Sequence, residues 1–306
     1  MSGTPSPHPS SQSPDPKQPA IPLEGLGADS VAAAAQLIRG GRVYDLDCGR
    51  WPNMPQWDGH APFQVLTYRT PRGVRVQKDW DWLGVNTVNF GIHSELLSGS
   101  AHTGTHIDAL CHATCGADDH WFGGSTPEEH LGDFGPLTHD AAAIPPIFTR
   151  GVLLDVAGAL GLEALPASAE IGPAEIERTL AAQGSEIRPG DVALIRTGYL
   201  SAWPERERLA EYADAGINLE AARMLMDAGV VALAGDTESL ECLPSPDPES
   251  PHPVHLEALI ERGVFILEMV YLEELARDRV YEFAFACLPL KISGATGSWV
   301  RPVALC

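Results

Sequence analysis

Four side chains of the kinds that bind metal ions lie close together in residues 100–112, SAHTGTHIDALCH. Their spacing is H-x3-H-x-D-x3-H, and they are His102, His106, Asp108 and His112. Among 306 residues with 11 histidines, this pattern should arise by chance in about one chain in a thousand. Imidazole nitrogens and a carboxylate are ligands that zinc favours and that manganese and iron accept. The pattern predicts a divalent metal site; the alternative is a group of hydrogen-bonded histidines beneath a loop.

The chain must fold back on itself for these side chains to meet. A fully extended strand would separate His102 from His112 by roughly 33 Å, which is too far for one metal site. Gly104 permits a bend, and His106 and Asp108 can then share one face of a strand. We also expect Asp108 to cap a helix that carries His112 four residues later on the same face.

The same segment resembles the signature of a known family. HTGTHIDALCH is similar to the H-x-G-T-H-x-D-x-P-x-H motif of the cyclase-like metal-dependent hydrolases, which include bacterial kynurenine formamidases and isatin hydrolases. The blocks that agree elsewhere in residues 43–305 are MPQWDGHAPF, GDVALIRTGY, AGDTESLE, HLEALIERGVFILE and LPLKISGATGSWVRPVAL. Leu110 stands at the family's proline position, and the chain is longer than typical bacterial kynurenine formamidases. These two departures weaken the assignment of the substrate more than the assignment of the metal site.

The resemblance implies a role for each matching residue. The matches to metal ligands are His102, His106, Asp108, His255 and Glu268. His112 matches the family's proton donor and acceptor, and Trp57 matches a tryptophan that contacts substrate. The implied cofactor is a divalent metal, zinc or manganese, as one ion or as two that Asp108 can bridge.

Taken without the resemblance, the residues outside the motif leave alternatives open. Glu268 ends an apolar segment, where a buried charge would need a partner such as a cation, but it could equally face solvent. His255 alone is more typical of a surface histidine, and Trp57 could equally be a core aromatic. The histidines interpreted as structural or loop residues are His93, His120 and His130.

The predicted function is a metal-dependent hydrolase that cleaves a carbon–nitrogen bond in a small aromatic-type substrate. The bond would be an amide, a formamide or a cyclic amide. A bound cation can lower the pKa of water to about 7, so that no serine or cysteine nucleophile is needed. His112 would pass the proton to the leaving nitrogen. The alternatives are a lactone hydrolase or ring-closing lyase on the same site, and a catalytically silent metal-binding protein.

The composition argues against several classes of partner. The chain has 41 acidic and 20 basic residues and a formal net charge of −21, which disfavours nucleic acids and membrane surfaces. With no apolar run of roughly 20 residues and no visible signal sequence, we expect a cytoplasmic protein. The six scattered cysteines should be reduced, with Cys111 as a packing residue. The resemblance implies a homodimer or homotetramer.

Apolar segments of strand length alternate with helical patterns, which predicts an α/β protein. The predicted strands are residues 43–47, 88–97, 152–156, 192–197, 230–234 and 264–267, and the predicted helices are 173–183, 219–228 and 254–261. Residues 1–27 are interpreted as a disordered Pro/Ser-rich tail and residues 28–306 as a single domain. Residues 116–146 are predicted to be a long functional cover or mobile loop. The resemblance implies a mixed β-sheet or barrel-like β core with flanking helices, the swivelling β/β/α fold.

Overall fold

The computed structural model describes residues 21, 25–81 and 84–306, so most of the predicted tail at residues 1–27 lies outside it. The strands are β1 (Val43–Asp45), β2 (Gln64–Arg69), β3 (Ser94–Ser98), β4 (His106–Asp108), β5 (Leu131–Gly132), β6 (Gly135–Pro136), β7 (Ile147–Asp155), β8 (Glu170–Ile171), β9 (Val192–Arg196), β10 (Gly216–Ile217), β11 (Ala232–Gly235), β12 (Phe265–Glu268), β13 (Glu282–Cys287), β14 (Gly297–Trp299) and β15 (Val303–Leu305). The α-helices are α1 (Ala28–Ala35), α2 (Pro71–Gln77), α3 (Pro127–His130), α4 (Val156–Ala159), α5 (Pro173–Gln183), α6 (Arg206–Leu209), α7 (Leu219–Asp227), α8 (Pro253–His255) and α9 (Glu273–Asp278). Short 3₁₀ helices span Phe122–Gly124, Ala141–Ala143 and Tyr199–Ala202, and a π-helix spans Leu256–Arg262.

A nine-stranded mixed sheet forms the centre of the fold, in the order β1-β15-β13-β7-β9-β11-β12-β4-β14. Its middle strands β7, β9, β11 and β12 run parallel, and antiparallel strands extend it at both ends. The parallel strands are buried along nearly their whole length, which explains why they read as continuous apolar runs. The sheet curls into a half-barrel with helices against it, and this confirms the predicted α/β class with a mixed sheet.

The predicted alternation of helix, glycine and buried strand is confirmed in the second half of the chain. α5 has the predicted bounds, begins with Pro173 and ends at Gly184, whose φ of 67° is left-handed. α7 begins after Asn218, whose side chain accepts a hydrogen bond from the backbone of Ala221. The π-helix that continues α8 ends at Gly263 and leads directly into β12.

The predicted strand at residues 88–97 is only partly correct. β3 begins at Ser94 and pairs with β2 in a separate two-stranded hairpin. The preceding residues form a turn because the side chain of Asn86 accepts from the backbone of Phe90 and donates to its carbonyl. Local bonds of this kind compete with strand pairing.

Residues 116–146 form a series of short elements that is packed against the main hydrophobic core. Trp121 and Phe122 are buried and belong to the main hydrophobic core. The end of this segment is held to the C-terminal part of the chain, because Ala141 donates to the carbonyl of Ala295 and Asp140 accepts from Gly294.

All six cysteines are free, and Cys111 is buried in the main core as the predicted packing residue. None of the helices in the described part of the chain has both the length and the apolar character needed to cross a bilayer.

Candidate metal centre

The motif at residues 102–112 forms a turn, the short strand β4 and a second turn. Gly104 makes the bend with a φ of 65°, and His106 and Asp108 share one face of β4, as predicted. The predicted helix starting at Asp108 is wrong. The backbone of His112 instead donates to the carbonyl of Ala109 over 2.9 Å, which closes a tight turn. Pairing of β4 with strands on both sides prevails over local helix capping.

The register of the sheet brings an acid from the far end of the chain to the motif. β4 lies between β12 and β14, with Glu268 directly opposite His106 and Gly297 opposite Asp108. Directly opposed residues share a face of the sheet, so Glu268 joins the two motif side chains. A Cβ atom at Gly297 would lie 2.6 Å from the ring of His102, so glycine makes room for that ring.

Donor atoms from four buried side chains converge at this point. Nε2 of His106 lies 3.1 Å from Oε2 of Glu268 and 3.5 Å from Oδ1 of Asp108. Nε2 of His255 lies 3.3 Å from Oε1 of Glu268 and 3.8 Å from Oδ2 of Asp108. The donor atoms of Asp108, His255 and Glu268 all lie within 4.8 Å of one another, as do those of His102, His106 and Asp108. Both groups could hold a metal ion.

Two of the imidazoles are oriented through their other nitrogen. Nδ1 of His106 donates to the carbonyl of Gly104 over 2.7 Å, which directs Nε2 into the cluster. Nδ1 of His255 lies 2.5 Å from Oε1 of Glu241 and donates to it, with the same effect. Glu241 is buried and also accepts from the backbone of Val254. A carboxylate behind a histidine in this way fixes the ring and raises its basicity toward a metal.

Three buried atoms in the cluster have no hydrogen-bond partner among the described residues: Nε2 of His106, Oδ2 of Asp108 and Oε1 of Glu268. Carboxylate oxygens and imidazole lone pairs repel each other unless a positive group lies between them. Without a metal a proton can take that place: burial acts to lower the pKa of His106 and of His255, but the nearby carboxylates outweigh it and raise both values. The donor set and its unsatisfied atoms fit a divalent cation.

His102 and His112 lie beside this cluster. Both nitrogens of His102 have partners, Oδ1 of Asp108 at 2.8 Å and Oγ1 of Thr296 at 2.9 Å, so ligation by His102 requires the exchange of one of them. The ring of His112 stacks on that of His102 with centroids 3.9 Å apart, and lies 6.4 Å from the ring of His255. Burial lowers the pKa of His112 to about 4, with Asp108 opposing, so the ring is neutral near pH 7.

A pocket opens beside the cluster, lined by Pro55, Gln56, Trp57, His60, His102, Gly104, His106, Glu238 and Met269. Trp57 is 58% exposed, so the core-aromatic alternative is wrong. Its ring makes an edge contact with His60 at 4.9 Å between centroids. The surface alternatives for His255 and Glu268 are also wrong, since both side chains are buried. His93, His120 and His130 do not line this pocket.

Sequence reasoning did not single out three residues of the site: His60, Glu238 and Glu241. All three lie in blocks that carry the family resemblance, MPQWDGHAPF and AGDTESLE. The local sequence around an acid in a loop is the same whether its side chain is solvated or buried. The family resemblance was therefore the feature of the sequence that could have identified these residues.

A curled mixed sheet with a His/Asp/Glu cluster on a strand near its edge defines the class, an α/β protein with a candidate divalent-metal centre. Residues 44–242 match the model of a family named Cyclase and described as "Putative cyclase". This match covers roughly two thirds of the chain, and the chain belongs to the Cyclase family. His255 and Glu268 lie beyond the matched residues.

Solved structures with the same fold include cyclases and hydrolases. A crystal structure described as a novel cyclase is 27% identical, with 92% of each chain covered and a TM-score of 0.79. Isatin hydrolase A from Labrenzia aggregata, bound to benzyl benzoate, is 20% identical, with 90% of this chain and 96% of that chain covered and a TM-score of 0.62. A potential metal-dependent hydrolase with cyclase activity is 18% identical, with 86% and 98% covered and a TM-score of 0.52. A comparison with curated proteins finds no match.

Proposed function

We propose that the protein is a metal-dependent hydrolase that cleaves a carbon–nitrogen bond in a small aromatic-type substrate. The bond is an amide, a formamide or a cyclic amide. One observation carries the proposal: buried oxygens of Asp108 and Glu268 face Nε2 of His106 and His255 with no lysine or arginine side chain between them among the described residues. The similarity to structures named isatin hydrolase and metal-dependent hydrolase supports the same class.

The proposed ligands of one or two zinc or manganese ions are His102, His106, Asp108, His255 and Glu268. When bound, a divalent cation supplies a water molecule of lowered pKa and polarises the carbonyl oxygen of the substrate. Glu241 holds the ring of His255 so that Nε2 keeps its direction.

Proton transfer is assigned to His112. Its neutral ring can accept the proton of the attacking water and deliver it to the nitrogen that leaves. Stacking on His102 fixes the plane of the ring beside the cluster. Trp57, exposed at the edge of the pocket, offers a flat surface for the aromatic part of the substrate.

Parallel assays of an aryl formamide, an isatin-type lactam and an aryl lactone test this function. The protein is loaded with zinc or with manganese, and a chelator-treated sample serves as the control. We expect hydrolysis of at least one of the two C–N substrates, dependent on the metal. Hydrolysis of the lactone alone would indicate the lactone-hydrolase alternative. A metal-loaded protein that acts on none of the three would contradict an enzymatic role.

The domain organisation, cellular location and assembly of the enzyme are also proposed. We propose that residues 28–306 form a single domain, and that the protein acts in the cytoplasm on a small molecule, not on nucleic acid. The subunits are proposed to form a homodimer or homotetramer, which light scattering after gel filtration can test.

A further inference from the structure

Glu238 lies in a loop that is fixed at both ends. The loop follows β11 at the carboxyl end of the parallel strands. Asp236 accepts hydrogen bonds from the backbone and hydroxyl of Thr197 and from the backbone of Gly198, at 2.8–2.9 Å. Glu241 is bonded to the first residues of α8. Because the residues on either side are held, the position of Glu238 in the wall of the pocket is preorganised.

The carboxyl group of Glu238 is half-buried and faces the pocket without a partner. No side chain or backbone group of the described residues forms a hydrogen bond or ion pair with it. Arg206 is the cation that favours its charge, but the guanidinium donates to the carbonyl oxygens of Asn53 and Met54. A half-buried carboxyl group that has no partner in the described part of the chain is free to accept a charge-assisted hydrogen bond from a ligand in the pocket.

The surroundings of Glu238 are negative. Burial raises the pKa of Glu238 to about 7, with the charges of Glu268, Asp214 and Asp58 adding to the effect and Arg206 opposing it. A bound cation would offset the cost of ionising the carboxyl group in this position. An anionic ligand group would add to the repulsion.

We propose that Glu238 is a specificity-determining residue that binds a primary ammonium group on the substrate and so selects amine-bearing substrates over neutral or acidic ones. The geometry offers a carboxylate acceptor together with the rings of Trp57 and His60 in one pocket. Carboxylates form strong charge-assisted hydrogen bonds with ammonium groups, and an indole face attracts the same cation. The inference deepens the proposed function and rests on it, since it assumes that this pocket admits the substrate.

Calorimetric binding of benzylamine and benzyl alcohol to the metal-loaded protein tests the inference. Both have one aromatic ring, and at pH 8 only benzylamine is cationic. The wild-type protein should prefer benzylamine, and Glu238→Gln should weaken its binding by about tenfold. Binding of benzyl alcohol should change less than about twofold. Glu238→Asp, which keeps the charge, should retain a preference for the amine.

Asp58→Asn is the matched control. Asp58 is an exposed acid that acts on Glu238 through its charge and does not line the pocket. Its replacement should leave the amine preference intact, and all variants should keep the metal content and melting temperature of the wild type. Equal affinity of the wild type for both compounds would overturn the inference. Equal loss in Glu238→Gln and Asp58→Asn would overturn it as well, because a general negative field would then explain the preference.

The outcome separates this inference from the proposed function. Amine binding that depends on Glu238 in a protein that hydrolyses no amide would contradict the proposed function alone. Amide hydrolysis with amine affinity unchanged in Glu238→Gln would contradict the role of Glu238 alone. An amine held only by direct coordination to the metal would give this second result.

Discussion

Two positions in the central sheet place buried ionisable side chains opposite each other on neighbouring strands. At the end of β7 and β9, Asp155 lies opposite Arg196. Between β12 and β4, Glu268 lies opposite His106. In both places the strand register brings two ionisable side chains together, but the charges of the two clusters are balanced in different ways.

The cluster of Arg196 is satisfied by the protein itself. Its guanidinium donates to Asp155 over 2.8 Å, to both oxygens of Glu273 over 2.8 and 2.7 Å, and to the carbonyl of Glu163 over 3.0 Å. A planar guanidinium suits two carboxylates in this arrangement. The positive charge that these two acids require is therefore part of the chain.

The cluster at Glu268 contains two carboxylates and no such cation. Asp108 and Glu268 receive no bond from a lysine or arginine among the described residues, and each keeps an oxygen without a partner. The positive charge that the cluster at Glu268 requires is therefore supplied by a bound proton or a bound cation and not by an arginine or lysine side chain. A buried cluster that the sequence leaves negative is a candidate cation site, whereas a balanced one is structural.

The largest expected effect is the loss of the metal on replacement of Asp108 or His106 by alanine. Both variants should lose bound metal and with it essentially all hydrolysis, because each removes a donor atom that points into the cluster. Elemental analysis and an activity assay measure the two effects. Circular dichroism is the check on folding. Full metal occupancy in both variants would contradict the assigned ligands.

His112→Ala should separate chemistry from metal binding. We expect it to retain the metal and to lose kcat by about 10²- to 10⁴-fold, since proton transfer contributes on that scale. The control is Ala113→Gly, a neighbouring change that leaves the ring in place. Metal loss as large as that of Asp108→Ala would show that His112 is a ligand instead.

Arg196→Met should destabilise the protein without affecting the metal. Asp155 and Glu273 would stay buried without their cation, which lowers the free energy of unfolding by about 3–5 kcal/mol. Urea unfolding measures this loss, and we expect it in metal-free and metal-loaded protein alike. Arg208→Met is the control, because the ion pairs of Arg208 are 3.9 Å long and exposed. If the two variants unfold at the same urea concentration, the balanced cluster is not a stabilising element.

The smallest effect is expected from Glu241→Gln. The ring of His255 would lose the charged acceptor at Nδ1, which should weaken metal affinity by about 10- to 100-fold. Competition with a coloured chelator gives the affinity. The control is Glu257→Gln. Glu257 lies on the helical segment that carries His255, but it is paired with Arg223 and Arg262, so this variant should keep the wild-type metal affinity. Equal affinities in the two variants would argue against the orienting role of Glu241.

The sequence predicts much of the fold and the centre of the site. The H-x3-H-x-D spacing indicates a bend at Gly104 followed by a strand face carrying His106 and Asp108, and the structure has both. Glu268 is singled out through the family resemblance, because an acid that ends an apolar segment could equally face solvent. The helix expected from Asp108 is absent because β4 is paired on both sides with strands from the C-terminal part of the chain. Strand pairing between segments so far apart in the sequence cannot be predicted from the local residue pattern.

Loop residues set the limit of what the sequence could predict. Glu241 and Glu238 reach the site because β11 runs parallel to β12, so the loop after β11 starts beside the end of β12, where Glu268 lies opposite His106. This arrangement depends on strand order. His60 approaches His102 through the fold, with ring centroids 5.7 Å apart, although 42 positions separate them in the sequence. The ion pair of Arg196 depends on register in the same way.

The metal content of the wild-type protein tests the central claim most directly. Protein purified without added metal is subjected to elemental analysis, and chelator-treated protein is then titrated with zinc and with manganese in a calorimeter. We predict one or two tightly bound divalent ions per chain, with binding abolished in Asp108→Ala. A folded wild-type protein that contains no divalent ion and binds neither metal would contradict the account.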